Sequence, residues 1–119
     1  MYTLKLPVYP YSIRTANDMY FYLVKVVDNK KFKIKEFKVG VNQSIVKVPF
    51  MSDYLVVISF SNSGKPHVFV YQLVVNGDVI EAKPLDKFDM SNLTDALVKY
   101  PFINKLNAFK LLIAPKITV

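Results

Sequence analysis

The sequence predicts an all-β fold, mainly antiparallel: a β-sandwich or jelly-roll of about eight strands, with one short helix near residues 91–100. An OB-like barrel is the alternative arrangement. Three observations carry this expectation. Apolar segments with period-two patterning recur at intervals of roughly 8–12 residues between turn-forming clusters, as in sandwiches and barrels. Asn76-Gly77 separates two such segments, a strong short-range hairpin signal. Helical periodicity is confined to one stretch, whereas a doubly wound α/β fold would alternate helices with every strand.

In chain order, Pro7 and Pro10 mark Tyr2–Tyr11 as an extended arm, since proline suits an edge strand or a polyproline-like segment. Ser12–Thr15 reads as a short strand and Asn17-Asp18 as a turn. Met19–Val27 is the most informative segment. Tyr20, Tyr22, Val24 and Val26 share one face, while Met19, Phe21, Leu23 and Val27 share the other. A strand apolar on both faces must be covered twice. A polar turn at Asp28-Asn29 leads to Phe32–Val39. There Lys31, Lys33 and Lys35 lie on one face, and Phe37 and Val39 continue the same parity as apolar residues. A bulge near Glu36 would explain that change of phase.

Gly40 and Asn42 then break the pattern, and Gln43–Val48 is a short strand ended by Pro49. Asp53–Ser61, His67–Val75 and Asp78–Pro84 form an antiparallel meander through Asn62-Ser63-Gly64 and Asn76-Gly77, the latter expected as a type I′ turn. Ser91 or Asp89 caps a helix whose stripe is Leu93, Leu97, Val98 and Tyr100, and Pro101 stops it. Ala108–Val119 reads as strand-like again, with Pro115 implying an edge or a bulge. The expected organisation is one domain over residues 1–119, with extended segments at 1–11 and 108–119.

Composition bounds the function. The chain has 119 residues, 52% of them apolar, enough for a core without staples. The longest apolar runs, such as Tyr54–Ile58, fall far short of the ~20 residues of a membrane helix. The first residues lack the charged and apolar regions of a signal peptide. With no cysteine there are no disulfides, thiolate nucleophiles, iron–sulfur clusters or cysteine zinc sites.

No constellation of residues points to catalysis, and no cofactor or metal is expected. His67 is the single histidine, there is no G-x-S-x-G elbow, and three isolated glycines cannot make a phosphate-binding loop. The densest acidic pair, Asp86 and Asp89, is explained by helix capping.

Two surfaces remain. Strands apolar on both faces make Tyr20, Phe21, Tyr22, Leu23, Phe69 and Tyr71 candidates for a subunit interface. The expected function is then a non-enzymatic structural protein, a subunit of a larger homo- or hetero-oligomeric assembly such as a virion capsid, tail or filament. The alternative starts from the net charge of +7, fifteen lysines with the single arginine Arg14. Lys31, Lys33, Lys35 and Lys38 lie among aromatics, the pairing that sequence-tolerant single-stranded nucleic-acid binders use. One arginine argues against reading base edges.

Overall fold

The structure, a computed structural model, describes residues 1–7, 19–40, 43–60 and 65–113. Alternating and doubly apolar segments form seven strands there: β1 (Tyr2–Lys5), β2 (Met19–Asp28), β3 (Lys31–Phe37), β4 (Ile45–Val48), β5 (Tyr54–Phe60), β6 (Pro66–Asn76) and β7 (Val79–Phe88). They make one sheet in the order β3-β2-β5-β6-β7-β1-β4. Every neighbouring pair is antiparallel except β1 and β7, which run parallel. The mainly antiparallel all-β expectation is borne out, with the strands in a single curled sheet.

Chain connectivity forces the curl. β3 and β4 are consecutive in sequence yet lie at opposite edges. A flat sheet would separate its outer strands by about 29 Å, six spacings of ~4.8 Å. The connection from Phe37 to Ile45 reaches about 26–29 Å only when fully extended, and it turns back on itself where Gln43 N–H donates to the Gly40 carbonyl at 3.1 Å. The edges must therefore approach each other. They meet through Phe37 and Val39 on one side and Leu4, Leu6 and Val48 on the other, which pack together with Leu23 and Ile80. That face is the inside of a half-barrel, and Phe21, Leu55, Val57, Phe69 and Tyr71 extend it.

The outer face takes the second cover. Tyr22, Val24, Val56, Ile58, Val68, Val70 and Phe88 pack against Ala96, Tyr100, Phe102, Ile103, Leu106, Ala108 and Phe109. These belong to α1 (Leu93–Lys99), a 3₁₀ turn (Pro101–Lys105) and α2 (Asn107–Ile113), with Tyr100 and Leu106 at the junctions between them. A preceding 3₁₀ turn, Met90–Asn92, is capped by Asp89, which accepts from Ser91 N–H at 2.9 Å while Asn92 reaches back to Asp89 N–H at 2.7 Å. The doubly apolar reading of Met19–Val27 holds as far as Val24, and the chain itself supplies both covers.

Several local expectations need correction. Ala108 to Ile113 is helical, not strand: Ala108 and Phe109 are consecutive and both buried while Lys110 is exposed, which period two does not allow. Residues 1–11 were expected as an arm, but Tyr2–Lys5 is an interior strand paired on both sides. Within the hairpin the bulge lies at Val27 on β2, not near Glu36. β3 alternates regularly, so its lysines share the inner face with Phe37. The β6–β7 turn has Gly77-Asp78 at its centre, and positive φ occurs at Gly77 alone (64°), the type II′ pattern in place of I′. Val98, expected on the helix's apolar stripe, is 80% exposed. Ser12–Thr15, Asn17-Asp18, Asn62-Ser63-Gly64, Pro115 and Arg14 lie outside the described residues.

Candidate functional site: a lysine edge and an inner-face groove

β3 is an outer strand, and its regular pairing with β2 sets its charges. Lys35 stands opposite Leu23, and Lys33 stands opposite Lys25. Like charges directly across a ladder are destabilising, so Lys25 and Lys33 are a local electrostatic cost. Lys33 Nζ lies 4.4 Å from the centroid of Phe50. Past the strand, Lys38 Nζ sits 5.4 Å from the Tyr20 ring, and Lys105 Nζ sits 5.4 Å from Phe32. Tyr20 and Phe32 belong to the outer face, so this edge carries ammonium groups on both sides.

Nearby carboxylates are occupied by other donors. Glu36 accepts from the Tyr22 hydroxyl at 2.5 Å. Asp28 accepts from Lys30 N–H and Lys31 N–H at 3.0 and 3.1 Å, fixing the hairpin turn, and Asp53 accepts from Val26 N–H at 2.7 Å. Among the described residues the one ion pair joins Lys99 to Asp86 at 2.9 Å. Lys31, Lys33, Lys35 and Lys38 therefore face solvent without an acidic partner there.

The six candidate interface residues are placed differently. Phe21, Leu23, Phe69 and Tyr71 line the inner core, Tyr22 lies under α2, and Tyr20 is half-buried against Phe60. Five of the six are buried by the chain's own contacts. Tyr22 ties three elements together, accepting from Ala108 N–H at 2.8 Å while donating to Glu36. Burial first, then that hydrogen bond, raises its phenol pKa.

His67 stands directly across from Ser59 on β5. Ser59 Oγ and His67 Nδ1 are both buried without a hydrogen-bond partner. Ser59 is sealed from solvent and does not bond to the imidazole, so the pair is not arranged as nucleophile and base. The Asp89 carboxyl is held below the usual range chiefly by the Ser91 hydroxyl and N–H, with His67 contributing less. No group of three metal-ligating side chains occurs among the described residues.

One feature escaped sequence reasoning. β7 carries a bulge: Asp86 pairs with Val70 and Pro84 with Tyr71, leaving Leu85 as the extra residue. A groove of about 570 Å³ opens there, lined among others by Pro7, Phe69, Tyr71, Ala82, Pro84 and Lys87. β1 pairs with β7 only as far as Glu81, so the groove begins where β1 departs. Proline inside a strand signals a bulge, and Pro84 was the residue from which the groove could have been anticipated. No helix among the described residues is long and apolar enough to cross a membrane. No family model matches the chain, and neither a curated protein nor a solved structure matches it.

Proposed function

We propose that this chain is a non-enzymatic assembly module, a β-subunit of a larger complex such as a virion (capsid, tail or filament) or a surface assembly. The supporting observation is the open half-barrel: β3 and β4 each lack a neighbour on their outer side among the described residues. An outer strand presents a row of free N–H and C=O groups that pairs readily with another chain. β3 is guarded by its lysines, whereas β4 is short and presents Ile45 at 50% exposure beside a single lysine, Lys47. β4 is therefore the favoured contact edge. Light scattering at micromolar concentration should show an oligomer, and Ile45→Lys should shift it toward monomer. A clean monomer that recovers no partner from its native source removes this reading.

A second use of the molecule is favoured by the cations of the β3 edge, which lack acidic partners and lie beside Tyr20, Phe32 and Phe50. Such an edge suits the backbone of a single-stranded nucleic acid, bound without regard to sequence. Affinity for a labelled oligothymidylate should fall steeply with salt, as phosphate neutralisation releases counterions. Changing Lys31, Lys33 and Lys35 together to Ser should flatten that salt slope by about two units, at roughly 0.7 per lost contact. An anisotropy signal indifferent to salt, or to the triple change, removes this use.

A further inference from the structure

We propose that the groove at the β7 bulge is a binding site for a small amphipathic organic anion, an apolar body carrying a single acidic head. Its volume, about 570 Å³, lies within the range of roughly 300–1,000 Å³ typical of small-molecule sites. Phe69, Ala82, Pro84 and Pro7 supply apolar walls. Two polar groups distinguish it from a bare apolar cleft. The first is Tyr71, which lines the groove and is 5% exposed. No hydrogen bond to its hydroxyl occurs among the described residues, so a donor on a largely buried ring is available at the groove. The second is Lys87, which stands opposite Phe69 in the ladder with its Nζ 5.7 Å from that ring.

The bulge fixes the sign of the charge. Inserting Leu85 between Pro84 and Asp86 brings Pro84 opposite Tyr71 and Lys87 opposite Phe69, both on the inner face. The neighbouring Asp86 pairs with Val70 on the outer face, where the Tyr100 hydroxyl and Lys99 occupy its carboxylate. The one acid at the groove is thus engaged away from it, and Lys87 has no acidic partner among the described residues. An apolar trough with one cation lacking an acidic partner and one hydroxyl donor complements a carboxylate or sulfonate on a hydrophobic body. A neutral apolar ligand would leave both polar groups unanswered.

The test uses 1-anilinonaphthalene-8-sulfonate as the probe, with dodecanoate as a competitor and N-phenyl-1-naphthylamine as the uncharged analogue. The folded chain should bind one sulfonate per chain saturably, dodecanoate should displace it, and the uncharged analogue should bind about tenfold more weakly. Lys87→Met keeps the stem and removes the charge, and should weaken the sulfonate by about tenfold while leaving the uncharged analogue unchanged. Ala82→Leu, which fills the trough, should weaken both probes. Circular dichroism and thermal midpoints confirm that both variants fold. The proposal is overturned by non-saturable binding, by equal affinity for the charged and uncharged probes, or by indifference to both substitutions. It is equally overturned if the probe binds only while dissociating an oligomer, because the groove then belongs to a second copy.

Discussion

Tyr22→Phe tests how the sheet holds its C-terminal helix. The first N–H groups of any helix have no intrahelical acceptor. In α2 the tyrosine hydroxyl answers one of them, accepting from Ala108 N–H at 2.8 Å, and Ala108 is itself 1% exposed. Phenylalanine preserves the ring and its packing, so the substitution isolates the hydroxyl. What remains is a buried N–H without an acceptor, which costs about 1–3 kcal/mol. The hydrogen bond from Tyr22 to Glu36 is lost as well, but Glu36 is exposed and water replaces it. For a chain of 119 residues the entropy of unfolding is about 0.25 kcal/mol/K, so each kcal/mol lowers Tm by about 4 °C. The expected loss is therefore about 4–12 °C by differential scanning calorimetry. Glu36→Gln retains an acceptor and should change Tm by less than about 2 °C. A Tyr22→Phe variant within about 2 °C of the parent would refute the claim that the hydroxyl anchors α2.

Three further outcomes are expected. Ser59→Ala removes a hydroxyl that is buried without a partner, and should raise stability by about 1 kcal/mol in denaturant unfolding; a clear loss would show that the hydroxyl is satisfied in solution. Gly77→Ala should cost about 1 kcal/mol, because φ is 64° and an added Cβ touches nothing within 4 Å, so the backbone alone is strained; an unchanged midpoint would contradict the turn geometry. The Asp86 carboxyl is held below its ordinary value of 3.8, first by the Tyr100 hydroxyl and then by Lys99. A depressed carboxylate stabilises the fold above its unfolded pKa, and that contribution is lost as pH falls through the folded value. The Tm difference between parent and Asp86→Asn should thus be largest near neutrality and shrink below about pH 4, and a difference independent of pH would count against the pairing.

The strands were legible because their patterning is local. Met19–Val24 announces two buried faces, and Asn76-Gly77 marks its hairpin, with the turn centred one residue later and of another type than expected. Identifying the covers was not a local matter. The doubly apolar β2 suggested a partner molecule, whereas the second cover comes from residues 93–109 of the same chain, placed there by tertiary packing. The same cause hid α2: Ala108 and Phe109 pack as a helical pair only because a curved sheet lies beneath them. The lysines of β3 were readable as an exposed edge face. The ring contacts of this edge were not, since Phe50 reaches Lys33, and Lys105 of the 3₁₀ turn reaches Phe32, across folded distances. The groove depends on one inserted residue, Leu85, whose only trace in the sequence is Pro84.

The parallel pairing of β1 with β7 has a consequence for how the molecule is made. Thr3, Leu4 and Lys5 leave the ribosome well before their partners Val79, Ile80 and Glu81, which follow only after β2 to β6 have been made. At ~5–20 residues per second this is a wait of several seconds. β4 waits too, because β1 is its one neighbour in the sheet. The hairpin of β2 and β3 and the meander of β5, β6 and β7 can assemble as they emerge, whereas β1 takes its place beside β7 only once β7 is made. During that interval Leu4, Leu6 and Val48 lack Ile80, which completes their cluster in the folded chain. A nascent chain of this protein is thus most open to chaperones, and to its own copies, through β1 and β4.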